Sequence, residues 1–194
     1  SNLLTTGLSL NPTRIGALDV LRRAGVGVEI ENPHGPPGGE PLGDVRIRQA
    51  PLQPFTIAAS EVPALVDEIP ILAVLATAAV GETQITGAAE LRIKESDRLA
   101  IMATNLRQLG ATVRELPDGL HITGPTTLRG GSQDVPLVLP TAGDHRIAMA
   151  MAVAALVSEG EITLDDFGCV AVSFPHFFAT FATILGDGIS DRPF

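Results

Sequence analysis

Residues 67–87 read DEIPILAVLATAAVGETQITG, and this stretch decides the class of fold. It contains a continuous apolar run over 69–80 that ends at a glycine. A helix that is apolar on every side has to be buried on every side. The glycine followed by a short run rich in Thr and Ile is typical of a turn and a strand. The stretch therefore predicts a buried helix and a strand, and its apolar run is too short to span a membrane.

The same pattern recurs along the chain. Residues 144–164, DHRIAMAMAVAALVSEGEITL, repeat the order of Asp, apolar helix, glycine and strand. Residues 11–30, NPTRIGALDVLRRAGVGVEI, resemble residues 95–116, ESDRLAIMATNLRQLGATVREL: each has an Arg near the start of an amphipathic helix, then a glycine and a strand. A third version begins at Ser173 without the Arg, and the first copy lacks its apolar helix. We predict an α/β fold with the apolar helices inside and the strands outside.

Composition narrows the classes of function. The 194 residues suit one large domain or two small ones, and 45% are apolar. The net charge of −9 disfavours binding to nucleic acid or to anionic membranes. Cys169 is the single cysteine, so an intrachain disulfide and a cysteine-based zinc site are excluded and a cytoplasmic location is expected. The chain opens with Ser-Asn rather than Met, which indicates a cloning remnant or a piece of a longer protein.

Polar side chains gather at three predicted helix starts. A helix N-terminus already carries partial positive charge, so cations placed there indicate an anionic ligand. Arginine matches phosphate or carboxylate oxygens with paired donors, and nearby carboxylates can exchange protons with a substrate. Equivalent helix starts in a packed repeat lie on one side, so we expect the following residues to converge: Asp67, Lys94, Glu95, Arg98 and Arg146.

Each of these residues also has a structural interpretation. Asp67 and Asp144 could be only N-caps, and Ser96 could cap the helix that follows it. Lys94 and Arg98 could pair on the surface with neighbouring acidic residues, where ion pairs contribute little. Arg146 is harder to explain in this way because it opens a helix with no polar face, whereas we assign no chemistry to Arg14. The residues alone leave open an anion-binding enzyme or a binding domain.

Four segments carry a family resemblance. Two of them resemble signature segments of the 5-enolpyruvylshikimate-3-phosphate synthase family: LRIKESDRLAIMATNLRQLGA (91–111) and DHRIAMAMAVAAL (144–156). VDEIPILAVLAT (66–77) resembles a third, and SFPHFF (173–178) is similar to the start of the family's closing helix. The resemblance implies repeated βαβαββ units in an inside-out, barrel-like domain. It also implies that the chain, as a single domain over 1–194, is most of the C-terminal domain of a two-domain enzyme and that the N-terminal domain is absent.

The resemblance also implies a reaction and a role for each site residue. Enolpyruvyl is transferred from phosphoenolpyruvate to the 5-hydroxyl of 3-phosphoshikimate, with release of phosphate and without a cofactor or metal. Asp67 corresponds to the general base and Glu95 to the acid and base at the methylene carbon. Asp67 and Lys94 are expected to bind 3-phosphoshikimate, and Arg98 and Arg146 to bind phosphoenolpyruvate.

The chain departs from the family pattern in one segment, and two other functions remain as alternatives. Many members carry a Lys shortly before the Phe-Pro pair, but residues 165–175, DDFGCVAVSFP, contain none, so no further cation is expected there. A relative of UDP-N-acetylglucosamine enolpyruvyl transferase shares the repeats but not normally both signature segments. A non-catalytic anion-binding domain is the other alternative. The chain by itself is expected to be inactive, because the second domain completes the site.

Overall fold

Strands and helices follow one another in three copies of one order. A computed structural model describes residues 2–185. The strands are β1 (Asn2–Ser9), β2 (Gly27–His34), β3 (Leu42–Arg48), β4 (Thr56–Ile57), β5 (Gly81–Ile85), β6 (Thr112–Leu116), β7 (Gly119–Gly124), β8 (Leu137–Leu139) and β9 (Ile162–Leu164). The helices are α1 (Gly16–Arg23), α2 (Ile69–Ala78), α3 (Arg98–Gln108), α4 (His145–Leu156) and α5 (Phe177–Leu185). Short 3-10 helices span Val62–Ala64, Ala89–Ile93 and Gly168–Val172.

The second copy is a complete βαβαββ unit, with the order β4, α2, β5, α3, β6, β7. The first copy has the order β1, α1, β2, β3, and within residues 2–185 it lacks the leading strand and apolar helix. The third copy has the order β8, α4, β9, α5. The repeated βαβαββ unit expected for the fold is therefore confirmed.

The sheets repeat in the same way. β5, β7 and β6 form an antiparallel set in that order, and β1, β3 and β2 form the equivalent set in the first copy. β4 joins the second sheet parallel to β5, as β8 lies parallel to β9 in the third copy. A parallel pair needs a crossover connection, and the apolar helices α2 and α4 supply it.

The apolar helices α2 and α4 pack against each other and against the sheets that surround them. Pro70 lies in the first turn of α2, where its missing N–H costs no hydrogen bond. The amphipathic helix α3 adds Leu99, Met102 and Leu106 to the same core. The prediction of helices inside and strands outside is confirmed. No helix within residues 2–185 is long and apolar enough to cross a membrane.

One flank of the two apolar helices is open, contrary to the expectation of burial on every side. A groove of about 440 Å³ runs between α1, α2 and α4. Its walls are almost entirely aliphatic and include Leu21, Leu52, Leu75 and Val153. The helices stay partly exposed there because the described part of the first copy supplies no apolar helix to cover them.

Candidate active site

The predicted helix starts converge in the structure. Asp67 lies in the turn that precedes α2, Arg98 is the first residue of α3, and Arg146 is the second residue of α4. Direct contacts join all three, because both arginines bond to the carboxylate of Asp67. The two repeat copies therefore bring their helix N-termini to one site, as the repeat pattern predicts.

Arg98 is the centre of this site. Its side chain is buried, with only 1% of the residue exposed, and its guanidinium links three carboxylates. Nε lies 2.8 Å from Oδ2 of Asp144, Nη2 lies 2.6 Å from Oε2 of Glu95, and Nη1 lies 3.4 Å from Oδ1 of Asp67. Burial by itself would lower the pKa of Arg98, but these carboxylates raise it above its ordinary value. The alternative of a surface ion pair is therefore wrong for Arg98.

Asp144 bonds to Arg98 and is also the N-cap residue of α4. It is fully buried, and its carboxylate caps the helix by accepting the backbone N–H of Arg146 at 2.9 Å. The hydroxyl of Ser96 donates to its other oxygen at 2.9 Å. Burial would raise the pKa of Asp144, but the hydrogen bonds from Arg98, Arg146 and Ser96 hold it below its ordinary value. Asp144 is thus an N-cap, as predicted, and also the fixed counter-ion of Arg98.

The predicted cap of α3 is wrong by one residue. Asp97 is the N-cap, and its carboxylate accepts the backbone N–H of Ala100 at 3.0 Å. Asp97 also pairs with Arg92, not with a cation of the site. Ser96 does not cap α3, and its hydroxyl donates to the carboxylate of Asp144 instead. Both residue types cap helices well, so the sequence pattern alone does not separate them.

Arg146 retains an unused donor. Its Nη2 bonds to Oδ2 of Asp67 at 3.0 Å, whereas its buried Nε has no hydrogen-bond partner in the described part of the chain. Arg146 and Asp67 both line a cavity of about 180 Å³ whose other walls are apolar, with Met149 and Phe177 among them. A buried donor without a partner is costly, so the position favours an acceptor supplied from outside.

The two predicted residues before Ser96 face the solvent. Lys94 is exposed and forms no ion pair within residues 2–185. The side chain of Glu95 is half exposed, with its carboxylate on Arg98. Both are therefore accessible to a ligand that approaches the site from the solvent.

Sequence reasoning missed two charged residues beside Asp67. Glu68 is the N-cap residue of α2, and burial raises the pKa of its carboxyl, with Asp67 acting in the same direction and Arg146 and Arg14 opposing them. Arg14 lines a small cavity of about 30 Å³ together with Asp67 and Glu68. The signal for Arg14 was present in the repeat, since it aligns with Arg98.

The residues that the structure describes have the architecture expected of the enolpyruvyl transferase fold: repeat copies with apolar helices within, and opposed Arg and carboxylate side chains at the helix starts. The model of the family "EPSP synthase (3-phosphoshikimate 1-carboxyvinyltransferase)" matches residues 1–181. The chain belongs to the EPSP synthase family.

Individual relatives agree with this assignment. The 3-phosphoshikimate 1-carboxyvinyltransferases of Roseiflexus sp. (strain RS-1) and Geobacter sp. (strain M21) are 47% and 45% identical, over 95% and 99% of this chain. The structure resembles EPSP synthase from Acinetobacter baumannii with a TM-score of 0.82 and 35% identity, over 91% of this chain and 40% of that one. The enolpyruvyl transferase NikO from Streptomyces tendae shares the fold, with a TM-score of 0.68 and 23% identity over 92% of this chain and 37% of that one. The chain spans 41% and 42% of the lengths of the two sequence relatives.

Proposed function

We propose that the chain supplies one wall of the active site of an enzyme that transfers enolpyruvyl from phosphoenolpyruvate to 3-phosphoshikimate. The observation that supports this most directly is the carboxylate of Asp67, which lies between two arginines in a family that carries out this reaction by name. A base beside cations suits a reaction in which an alcohol is deprotonated next to an anionic partner.

In the proposed reaction, Asp67 takes the proton of the 5-hydroxyl of 3-phosphoshikimate. The oxygen then bonds to the central carbon of phosphoenolpyruvate while Glu95, acting in its protonated form after the substrate has displaced it from Arg98, protonates the methylene carbon. Glu95 next removes a proton from the resulting methyl group as the bond to phosphate breaks, and the proton held by Asp67 leaves with the phosphate. Glu95 is accessible for both steps, since half of its side chain is exposed. Lys94, exposed beside it, contacts the hydroxyls of the shikimate ring in this proposal.

Phosphoenolpyruvate binds to Arg98 and Arg146 in this proposal by displacing carboxylate side chains that are bonded to these arginines. Both outer nitrogens of Arg98 are bonded to carboxylates that remain partly exposed, Asp67 and Glu95, whereas its Nε is held by a buried one. A phosphate or carboxylate group can displace the exposed partners and leave the buried anchor in place. Arginine suits this exchange because its fork presents paired donors in a fixed geometry. Displacement also frees Asp67 and Glu95 for proton transfer.

We also propose that the chain is most of one domain of a two-domain enzyme. The relatives are more than twice as long as the matched segment. Within residues 2–185 the first repeat copy has no counterpart of β4 and α2, and the apolar groove between α1, α2 and α4 is open to such a helix. The site faces solvent on the side of Lys94 and Glu95, so a second domain would be needed to exclude water and align the substrates.

A phosphate-release assay tests the proposed reaction. The 194-residue chain is incubated with phosphoenolpyruvate and 3-phosphoshikimate, first alone and then with the remaining part of the enzyme as a separate polypeptide. We expect no release from the chain alone, and turnover after mixing. Replacing 3-phosphoshikimate with UDP-N-acetylglucosamine is the control for substrate class. Release with the nucleotide sugar only, or full turnover by the chain alone, would contradict the proposal.

A further inference from the structure

Arg14 occupies in the first repeat copy the position that Arg98 occupies in the second. The alignment of residues 11–30 with residues 95–116 places one arginine on the other. Arg14 lies in the turn just before α1 and Arg98 is the first residue of α3, and each helix is followed by a glycine with positive φ, Gly25 at 86° and Gly110 at 91°. The repeat therefore places a second arginine at the start of a helix that adjoins the site.

The packing of α1 holds Arg14 beside the carboxylates of the next apolar helix. A Cβ atom on Gly16 would lie 3.0 Å from the carbonyl oxygen of Ala64, so the start of α1 touches the 3-10 helix that leads to α2. At the other end of α1, Arg23 bonds to Glu61 at 2.6 Å. Arg14, which precedes α1, lines a small cavity together with Asp67 and Glu68. In the second copy the aligned Arg98 bonds directly to Asp144, the repeat counterpart of Asp67, whereas Arg14 lies beside Asp67 without bonding to it.

Glu68 and Asp67 form a pair of adjacent carboxylates that needs positive charge nearby. The charged groups that act on Glu68 are Arg146 from α4, Arg14 from the turn before α1, and Asp67 beside it. Glu61, the other acid of this segment, is already bonded to Arg23 and to a backbone N–H. Arg146 is the cation that the proposed function assigns to substrate. Arg14 is exposed and forms no ion pair within residues 2–185.

We propose that Arg14 is a positioning residue that takes over as counter-ion of Asp67 and Glu68 when a substrate anion engages Arg146. This inference rests on the proposed function, since it concerns the same anion site. Without Arg14, the withdrawal of Arg146 removes the cations that act on this adjacent pair of carboxylates, and the partly buried Glu68 takes up a proton more readily. A protonated Glu68 can donate to Asp67 and so make Asp67 a weaker base toward a hydroxyl.

Carboxyl-detected NMR titration of the 194-residue chain tests the inference without turnover. The Glu68 signal is assigned from its loss in Glu68→Gln, and its titration midpoint is followed with and without saturating inorganic phosphate as the anion. We expect Arg14→Gln to raise the midpoint, with the larger rise in the presence of phosphate, and Arg14→Lys to restore it. Arg22→Gln, a change on the exposed surface of α1, the helix that follows Arg14, is the matched control and is expected to leave the midpoint unchanged.

The inference is overturned if Arg14→Gln does not raise the Glu68 midpoint in the presence of phosphate. It is equally overturned if Arg22→Gln raises the midpoint as much, since any loss of positive charge would then suffice. Because Arg14 is exposed, the variants are expected to fold, and their amide spectra report on this directly. A chain that passes this test but shows no phosphate release with its complementing part would contradict only the proposed function.

Discussion

Replacing Asp144 by Asn separates the charge of this residue from its role as a helix cap. Asn caps helices about as well as Asp, so α4 keeps its first hydrogen bond. What is lost is the negative charge opposite Arg98, and both residues are almost completely buried. A buried guanidinium that loses its one fully buried carboxylate partner cannot recover the interaction from water.

The structure sets the size of the effect. Breaking a buried ion pair by removing one partner costs about 3–5 kcal/mol. Arg98 keeps two other carboxylates, Glu95 and Asp67, so we expect the lower end of this range, about 3 kcal/mol in the free energy of unfolding. For a chain of this size, each kcal/mol moves the melting temperature by about 2–4 °C, which corresponds to a fall of about 6–12 °C.

Urea unfolding followed by circular dichroism measures the loss, with Asp97→Asn as the matched control. Asp97 caps α3 as Asp144 caps α4, and it also pairs with an arginine, Arg92, but in a partly exposed place. An exposed pair contributes about 0.2–1 kcal/mol, so the control is expected to lose less than a third as much. Equal losses in the two variants would refute the argument that the buried pair stabilises the site.

The loss of stability in Asp144→Asn is also expected to depend on pH. The pKa of Asp144 is lowered in the folded chain, so the unfolded chain takes up a proton there first as the pH falls. The stability that this carboxylate contributes is therefore complete above its ordinary pKa of 3.8 and is lost as the pH falls below it. The difference between the chain and Asp144→Asn is expected to be largest near neutral pH and to shrink in acid. A difference that grew in acid would contradict this sign.

Two further outcomes are expected in the complete enzyme. Asp67→Asn should lower turnover by about 10²–10⁴, as the loss of a general base does, while the chain keeps its fold; near-normal turnover would leave Asp67 with a structural role only. Arg146→Lys should raise KM for phosphoenolpyruvate about tenfold, equivalent to about 1.4 kcal/mol, because a point charge cannot replace paired donors. Unchanged KM values for both substrates would remove Arg146 from the site.

The fold could be predicted from the sequence because its strongest signal is local. A run such as 69–80, apolar on every side, has only one stable environment, and its recurrence after residue 144 fixes the repeat. The open groove could not be predicted, because it depends on which neighbouring element is present and not on the composition of α2 and α4. The apolar composition of a helix shows that it is more stable when buried, but it does not show how much of the helix the neighbouring elements bury.

The members of the site could be predicted, but their partners could not. The repeat brings the starts of α2, α3 and α4 to one side, and this is a matter of topology. Whether Arg98 pairs with Asp97 on the surface or with Asp144 in the interior depends on packing over 46 residues of separation. Ser96 and Asp97 are adjacent and equally suited to capping, so the choice between them is made by the buried carboxylate. Burial raises the pKa of Glu68, and the degree of burial of a side chain is not visible in the sequence.

The first strand has a consequence for the isolated chain in solution. β1 is an outer strand, all of its residues are exposed, and its sequence NLLTTGLS holds neither a charge nor a proline. Such an edge offers free backbone donors and acceptors to any other strand. A bulge between Thr5 and Leu8, where Gly7 has a φ of 67° and its N–H bonds to Asp44, bends the second half away from straight pairing. Residues 2–5 carry no such protection, so we expect this part of the edge to be where a strand of another molecule pairs with the isolated chain.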